Sequence, residues 1–194
     1  MKARLEQLLG TAFGLVFLGL AVVVTVETVA RKLFNVSLQG ADELGGYALA
    51  VGATLGFSIA LLGRTHIRVD VIHDRLPVWL QGGLNWLSAV SLAALALLMA
   101  YLAWFVIQDT RAYKSVAQTP WATPLVIPQT VWLIGLIIFA AIALGSALQA
   151  TRLLLRGRFQ LLDRDYGPRS TKDEVDEELD DIRARDAARQ EIVP

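Results

Sequence analysis

Four stretches of this chain are almost free of charge over a length that can cross a lipid bilayer, and no other feature restricts the fold so strongly. Residues 8–26, 44–63 and 78–107 carry no charged side chain at all, and a fourth apolar run, 131–155, meets its first charge at Arg152. The hydrocarbon core is about 30 Å thick, so a helix rising about 1.5 Å per residue needs roughly 20 mainly apolar residues to span it. A helix or strand of a soluble domain keeps one face in water, and these segments have no polar face to offer. The sequence is therefore read as an all-α integral membrane protein. Its four transmembrane helices are expected at about 8–30, 44–63, 84–107 and 131–155, forming a membrane domain over 1–162. A charged cytoplasmic tail is expected over 163–194.

Composition agrees with that reading. Hydrophobic residues make up 55% of the chain, and the 18 basic and 18 acidic side chains are confined to a few stretches. With no cysteine present, disulfides, thiolate metal sites, iron–sulfur clusters and cysteine nucleophiles are excluded. Lys2 and Arg4 before the first run have the look of a secretory signal. The run is longer than an h-region of about 7 to 15 residues, however, and lacks a small-x-small cleavage site, so it is read as a retained helix.

Orientation follows from Lys and Arg in the short loops near helix ends. Lys2 and Arg4, then Arg64, Arg68 and Arg75, then Arg152, Arg156 and Arg158 fall on one side. Arg31, Lys32, Arg111 and Lys114 on the other are diluted by Asp42, Glu43 and Asp109. Both termini are thus expected in the cytoplasm. Trp79, Trp86, Tyr101, Trp104, Trp121 and Trp132 stand near helix ends, where aromatic rings favour the lipid headgroup level. Residues 77–84 are expected to lie along the interface before the third helix turns inward.

Small residues mark faces on which membrane helices pack closely. Ala48, Gly52, Gly56 and Ala60 recur every four residues in the second helix, Gly10 and Gly14 repeat the spacing in the first, and Ala141 and Gly145 in the fourth. Such a stripe serves packing within the chain or docking of a partner's helix. Beyond 162 the composition turns polar, and the tail reads either as a solvated segment or as a partner-binding one.

Few residues suggest chemistry. Glu27 is the one ionisable group near a membrane core, which invites a transport role. Arg31 follows four residues later on the same helical face, and a structural ion pair near the helix end accounts for both. His66 and His73 lie in a loop with Arg68, Asp70, Asp74 and Arg75; their spacing and the nearby positive charge do not suit zinc, and the loop position does not suit haem, whose axial histidines in a membrane cytochrome lie inside helices. No glycine-rich phosphate loop is present. Neither internal repeats nor helices broken at the midplane, the marks of a transporter acting alone, are seen. No catalytic, metal or substrate-binding residue is expected.

Three stretches carry a family resemblance. The first helix ends in Arg31, Lys32, Leu33, Phe34 and Asn35, followed by Ser37 and Leu38; the second opens with Asp42, Glu43 and Tyr47. Then comes His66, Ile67, Arg68, Val69 and Asp70, closed by Asp74, Arg75, Leu76 and Pro77. Together with Pro120, Trp121 and Pro124, these stretches resemble the small membrane subunit of the tripartite ATP-independent periplasmic (TRAP) transporters, the DctQ-like family, over roughly 1–160. Gly40 and Gly46 depart from it, since the family often has Trp and Arg there.

The resemblance implies a multi-pass subunit of the bacterial inner membrane that is not an enzyme and holds no cofactor. Its implied partners are a large permease subunit, which carries the sodium coupling, and a periplasmic binding protein that delivers an organic acid. Lipid is a further partner, and no nucleic acid is expected. The stripe of the second helix and the charged loop ends would hold the permease. A second reading is a membrane anchor or assembly protein whose charged tail recruits a cytoplasmic partner.

Overall fold

In the computed structural model, residues 2–63 and 76–166 are described, together with 179, 182 and 183. Four long helices account for most of them: α1 (Lys2–Phe34), α2 (Ala41–Gly63), α3 (Val78–Tyr113) and α4 (Val126–Leu155). A short helix, α5 (Phe159–Tyr166), follows α4. All four long helices are long and apolar enough to cross a membrane.

The helices outrun the apolar stretches that announced them. Apolarity marks where lipid is, whereas a helix continues into the headgroups until its backbone is diverted. α2 starts at Ala41 because Gly40 accepts the first helical bonds, from Glu43 and Leu44, and the acidic pair Asp42 and Glu43 favours the positive end of the helix. Pro128 falls in the first turn of α4, where its missing N–H leaves no bond unmade. The expectation for 77–84 is corrected: Pro77 caps a continuous helix that begins at Val78, so this segment is the opening of α3 and not a separate interfacial stretch. At 36 residues, or about 54 Å, α3 is far longer than the hydrocarbon core. It ends where Lys114 takes a left-handed conformation.

The helices stand in a row, α1, α2, α4, α3, rather than closing into a bundle. α1 packs on α2, α2 also on α4, and α4 on α3; among the described residues no more than a marginal contact joins α1 to α3, too little to complete a ring. Alanine makes the tightest seam. Ala89, Ala93 and Ala96 of α3 face Ala140, Ala143, Ala147 and Ala150 of α4, and Ala103 sits against Leu133 and Leu136, all buried. Side chains that short let two backbones approach and gain dispersion contacts that lipid cannot supply.

Both faces of α2 are used inside the chain. On one, Gly52 lies beneath the Phe17 ring of α1, and a Cβ at Gly56 would stand 3.9 Å from Phe13. On the other, Thr54 seats against Gly135 of α4, and Phe57 meets Phe139 with ring centroids 5.6 Å apart. The buried hydroxyls stay local: Thr54 donates to the Val51 carbonyl and Ser58 to that of Thr54.

Two of the small-residue faces take no part in packing within the chain, which leaves docking of a partner's helix as their reading. Gly10, Gly14, Ala141 and Gly145 are exposed, and a side chain added at any of the three glycines would meet nothing within 4 Å. On α4 the neighbouring positions Ala140, Ala143 and Ala147 win the contact because they face α3. α5 crosses the 162/163 boundary at which the tail was expected to begin. Leu162 of α5 is completely buried against Ala89 and Ala150.

Candidate functional site at the Glu27 end

The residues carried forward from the sequence gather at the end of the row where α1 passes to α2. α1 stops because Asn35 adopts a left-handed backbone, φ 56°, while the Val36 N–H reaches back to the Ala30 carbonyl. The chain then doubles back over its own last turns, and Glu27 ties it down. Its Oε1 accepts from Arg31 Nε at 3.1 Å, from Arg31 Nη2 at 2.5 Å and from Ser37 Oγ at 2.8 Å. Oε2 accepts from the Leu38 N–H at 2.6 Å. The carboxylate is buried, whereas 63% of the Arg31 side chain remains exposed. One acid thus joins a helix end to a loop.

That loop is held from the other side as well. Residues 114–125 fold into a narrow turn, with Ala117 N–H bonded to the Thr123 carbonyl and Leu125 N–H to that of Ser115. The turn presents the Trp121 ring directly over the Cα of Gly40. Any Cβ at Gly40 would run into the indole, so the glycine is needed for this approach. Gly40→Val is expected to push the ring away and to cost about 1–3 kcal/mol of stability. Thermal unfolding in detergent checks this, and adding Trp121→Ala to the variant should return most of the loss.

Of the other candidates, Tyr47 donates to Glu43 Oε2 at 3.1 Å, and Asp42 is exposed beside a cleft that Glu27, Arg31 and Lys32 also line. Pro77 lies at the opposite end of the row, at the head of α3. His66, Arg68, Asp70, Asp74 and Arg75 lie outside the described residues. The α2 stripe of Ala48, Gly52, Gly56 and Ala60 faces α1 at its two glycines, so at those positions it serves packing within the chain.

Sequence reasoning missed the Ser37 and Leu38 bonds to Glu27 and the Gly40 to Trp121 contact. The first could have been suspected from a serine close after an acid at a helix end. The second joins residues 81 positions apart and leaves no local signal. Among the described residues, no three acidic or histidine side chains converge as metal ligands. The chemistry of this end is that of a fastening.

A family model described as "Tripartite ATP-independent periplasmic transporters, DctQ component" matches residues 20–153, more than half of the chain and all of the fastening just described. The chain belongs to this family. It is a DctQ component of a TRAP transporter, a multi-pass protein of the inner membrane and not an enzyme. A search of curated proteins found no match. Within this DctQ-family chain, the matched region opens in α1 ahead of Glu27 and closes near the end of α4, leaving α5 outside.

Proposed function

We propose that this DctQ component is a fixed, non-catalytic wall for a large permease subunit in the sodium-coupled uptake of organic acids handed over by a periplasmic binding protein. In this reading the permease holds both sodium and substrate, and the small subunit needs no cofactor. Both of its termini lie in the cytoplasm, as the bias of arginine toward one set of loops suggests.

The observation that carries the proposal is the row of helices. A row has two broad sides where a closed bundle has an enclosed interior, and here those sides expose large apolar residues on every long helix. Most of its buried polar side chains are engaged in holding the chain together, Glu27 in its loop, Thr54 and Ser58 on their own helix and Asn85 in a contact of its own, and the buried oxygens of Glu43, Thr119 and Gln129 that lack a partner are scattered near the Glu27 end rather than strung along a path through the row. A path for a carboxylate would need polar groups free to meet it. Since the α2 glycines are taken by α1, the permease is assigned to the open sides of the row rather than to the stripe.

Reconstitution tests the proposal. The chain is expected to co-purify with its large permease subunit, and vesicles holding the pair together with the binding protein should accumulate an organic acid under a sodium gradient. Vesicles with the small subunit alone do not. Truncation after Tyr166 should leave uptake largely intact; the cut spares α5, whose Leu162 is buried. Solute movement by the small subunit alone, or failure of the two membrane chains to associate, rejects the proposal.

A further inference from the structure

At the end of the row opposite Glu27, the head of α3 and the start of α5 enclose a second cleft. Val78 and Trp79 form one wall, and residues 157–161 form the other. We propose that this cleft seats the phosphate headgroup of an anionic phospholipid, with the acyl chains lying along Val78 and Trp79.

The walls are fixed in place. Gly157 turns the chain with φ 65°, and the Arg158 N–H bonds back to the Leu153 carbonyl. Phe159 then packs on Gly82 of α3, leaving only 3.0 Å for any added Cβ, and Leu162 is buried completely. α5 is therefore pinned across the ends of α3 and α4, and the cleft between it and Trp79 is a built feature of the fold.

Its described lining is amphiphilic, and the charge in it is positive. Arg158 lies in the wall, and Arg152 and Arg156 stand close by in the chain at the end of α4. All three are exposed, and none is bonded through its side chain to an acid among the residues whose side chains are described. Among the described residues, none that lines the cleft is acidic. Beside these cations, 63% of Trp79 and 82% of Leu155 are exposed. A soluble anion would engage the arginine and leave the indole and the leucine in water. A phospholipid satisfies both, because its phosphate meets the guanidinium at the depth where its chains begin. The apolar spans of α3 and α4 end at this level, which sets the cleft at the boundary between hydrocarbon and headgroups.

The test uses the full chain in vesicles containing lipids brominated on their acyl chains, which quench a nearby indole. Trp79 is isolated from the other four tryptophans by subtracting the signal of Trp79→Phe. At equal mole fraction, brominated phosphatidylglycerol should quench the Trp79 component several-fold more than brominated phosphatidylcholine. Arg158→Gln should lower that preference by about fivefold, the effect of one arginine near an anionic surface, while Arg158→Lys should retain most of it. Equal quenching by the two lipids, or a preference that survives Arg158→Gln combined with Arg156→Gln, overturns the proposal. If millimolar inorganic phosphate abolishes the preference, the site belongs to a free anion and the lipid assignment falls.

Discussion

Gly135→Leu is expected to separate α2 from α4 and to abolish recovery of folded protein. Gly135 is buried where Thr54 presses on the α4 backbone, and even the single Cβ of alanine would overlap the threonine hydroxyl and approach its Cβ to 2.9 Å. Thr54 cannot swing aside easily, being β-branched, fully enclosed and bonded to the Val51 carbonyl. Gly135→Ala should therefore cost about 1–3 kcal/mol, and the leucine variant more than that. Size-exclusion profiles and unfolding temperatures in detergent measure both. Gly145→Ala, on the open face of the same helix, is the control, because nothing lies within 4 Å of it. Adding Thr54→Ala to Gly135→Ala should restore much of the loss; a double variant as unstable as the single one would mean that the two residues do not set this spacing.

Glu27→Ala is expected to release the loop between α1 and α2. Its carboxylate gathers one guanidinium, one hydroxyl and one backbone N–H, so its removal leaves four donor atoms on three groups without their acceptor. The ordering of variants is the prediction. Glu27→Ala should lower the unfolding temperature most, Arg31→Ala less, since Ser37 and Leu38 keep their bonds, and Ser37→Ala least. Arg31→Ala should also do more harm in the presence of Glu27 than in a Glu27→Ala background. Equal losses from Glu27→Ala and Ser37→Ala would show that the carboxylate does not organise the loop.

These residues also show what the sequence discloses about itself. The spans were legible because burial in hydrocarbon leaves a one-dimensional mark, a long run without charge. The pairing of Glu27 with Arg31 was legible because helical geometry brings positions four apart together. Order across the membrane was not. Small residues recur on more than one face of α1, α2 and α4, and only assembly in three dimensions selects Gly52 and Ala140 while leaving Gly14 and Gly145 open. α5 escaped notice because its eight residues are too short for periodicity to stand out from the polar tail that follows. Trp121 could be placed near a membrane boundary but not over Gly40, since closure of distant loops depends on how intervening helices tilt and pack.

The place of α1 at the end of the row has a consequence for how damage spreads. Having α2 as its main neighbour, this first helix is insulated from the alanine seam between α3 and α4. A lesion in α1 stops at the next helix, much as a loose end board leaves the rest of a fence standing. Whole-helix replacement is therefore best tolerated there, provided that the two phenylalanines above the α2 glycines and the acid that anchors the following loop are kept.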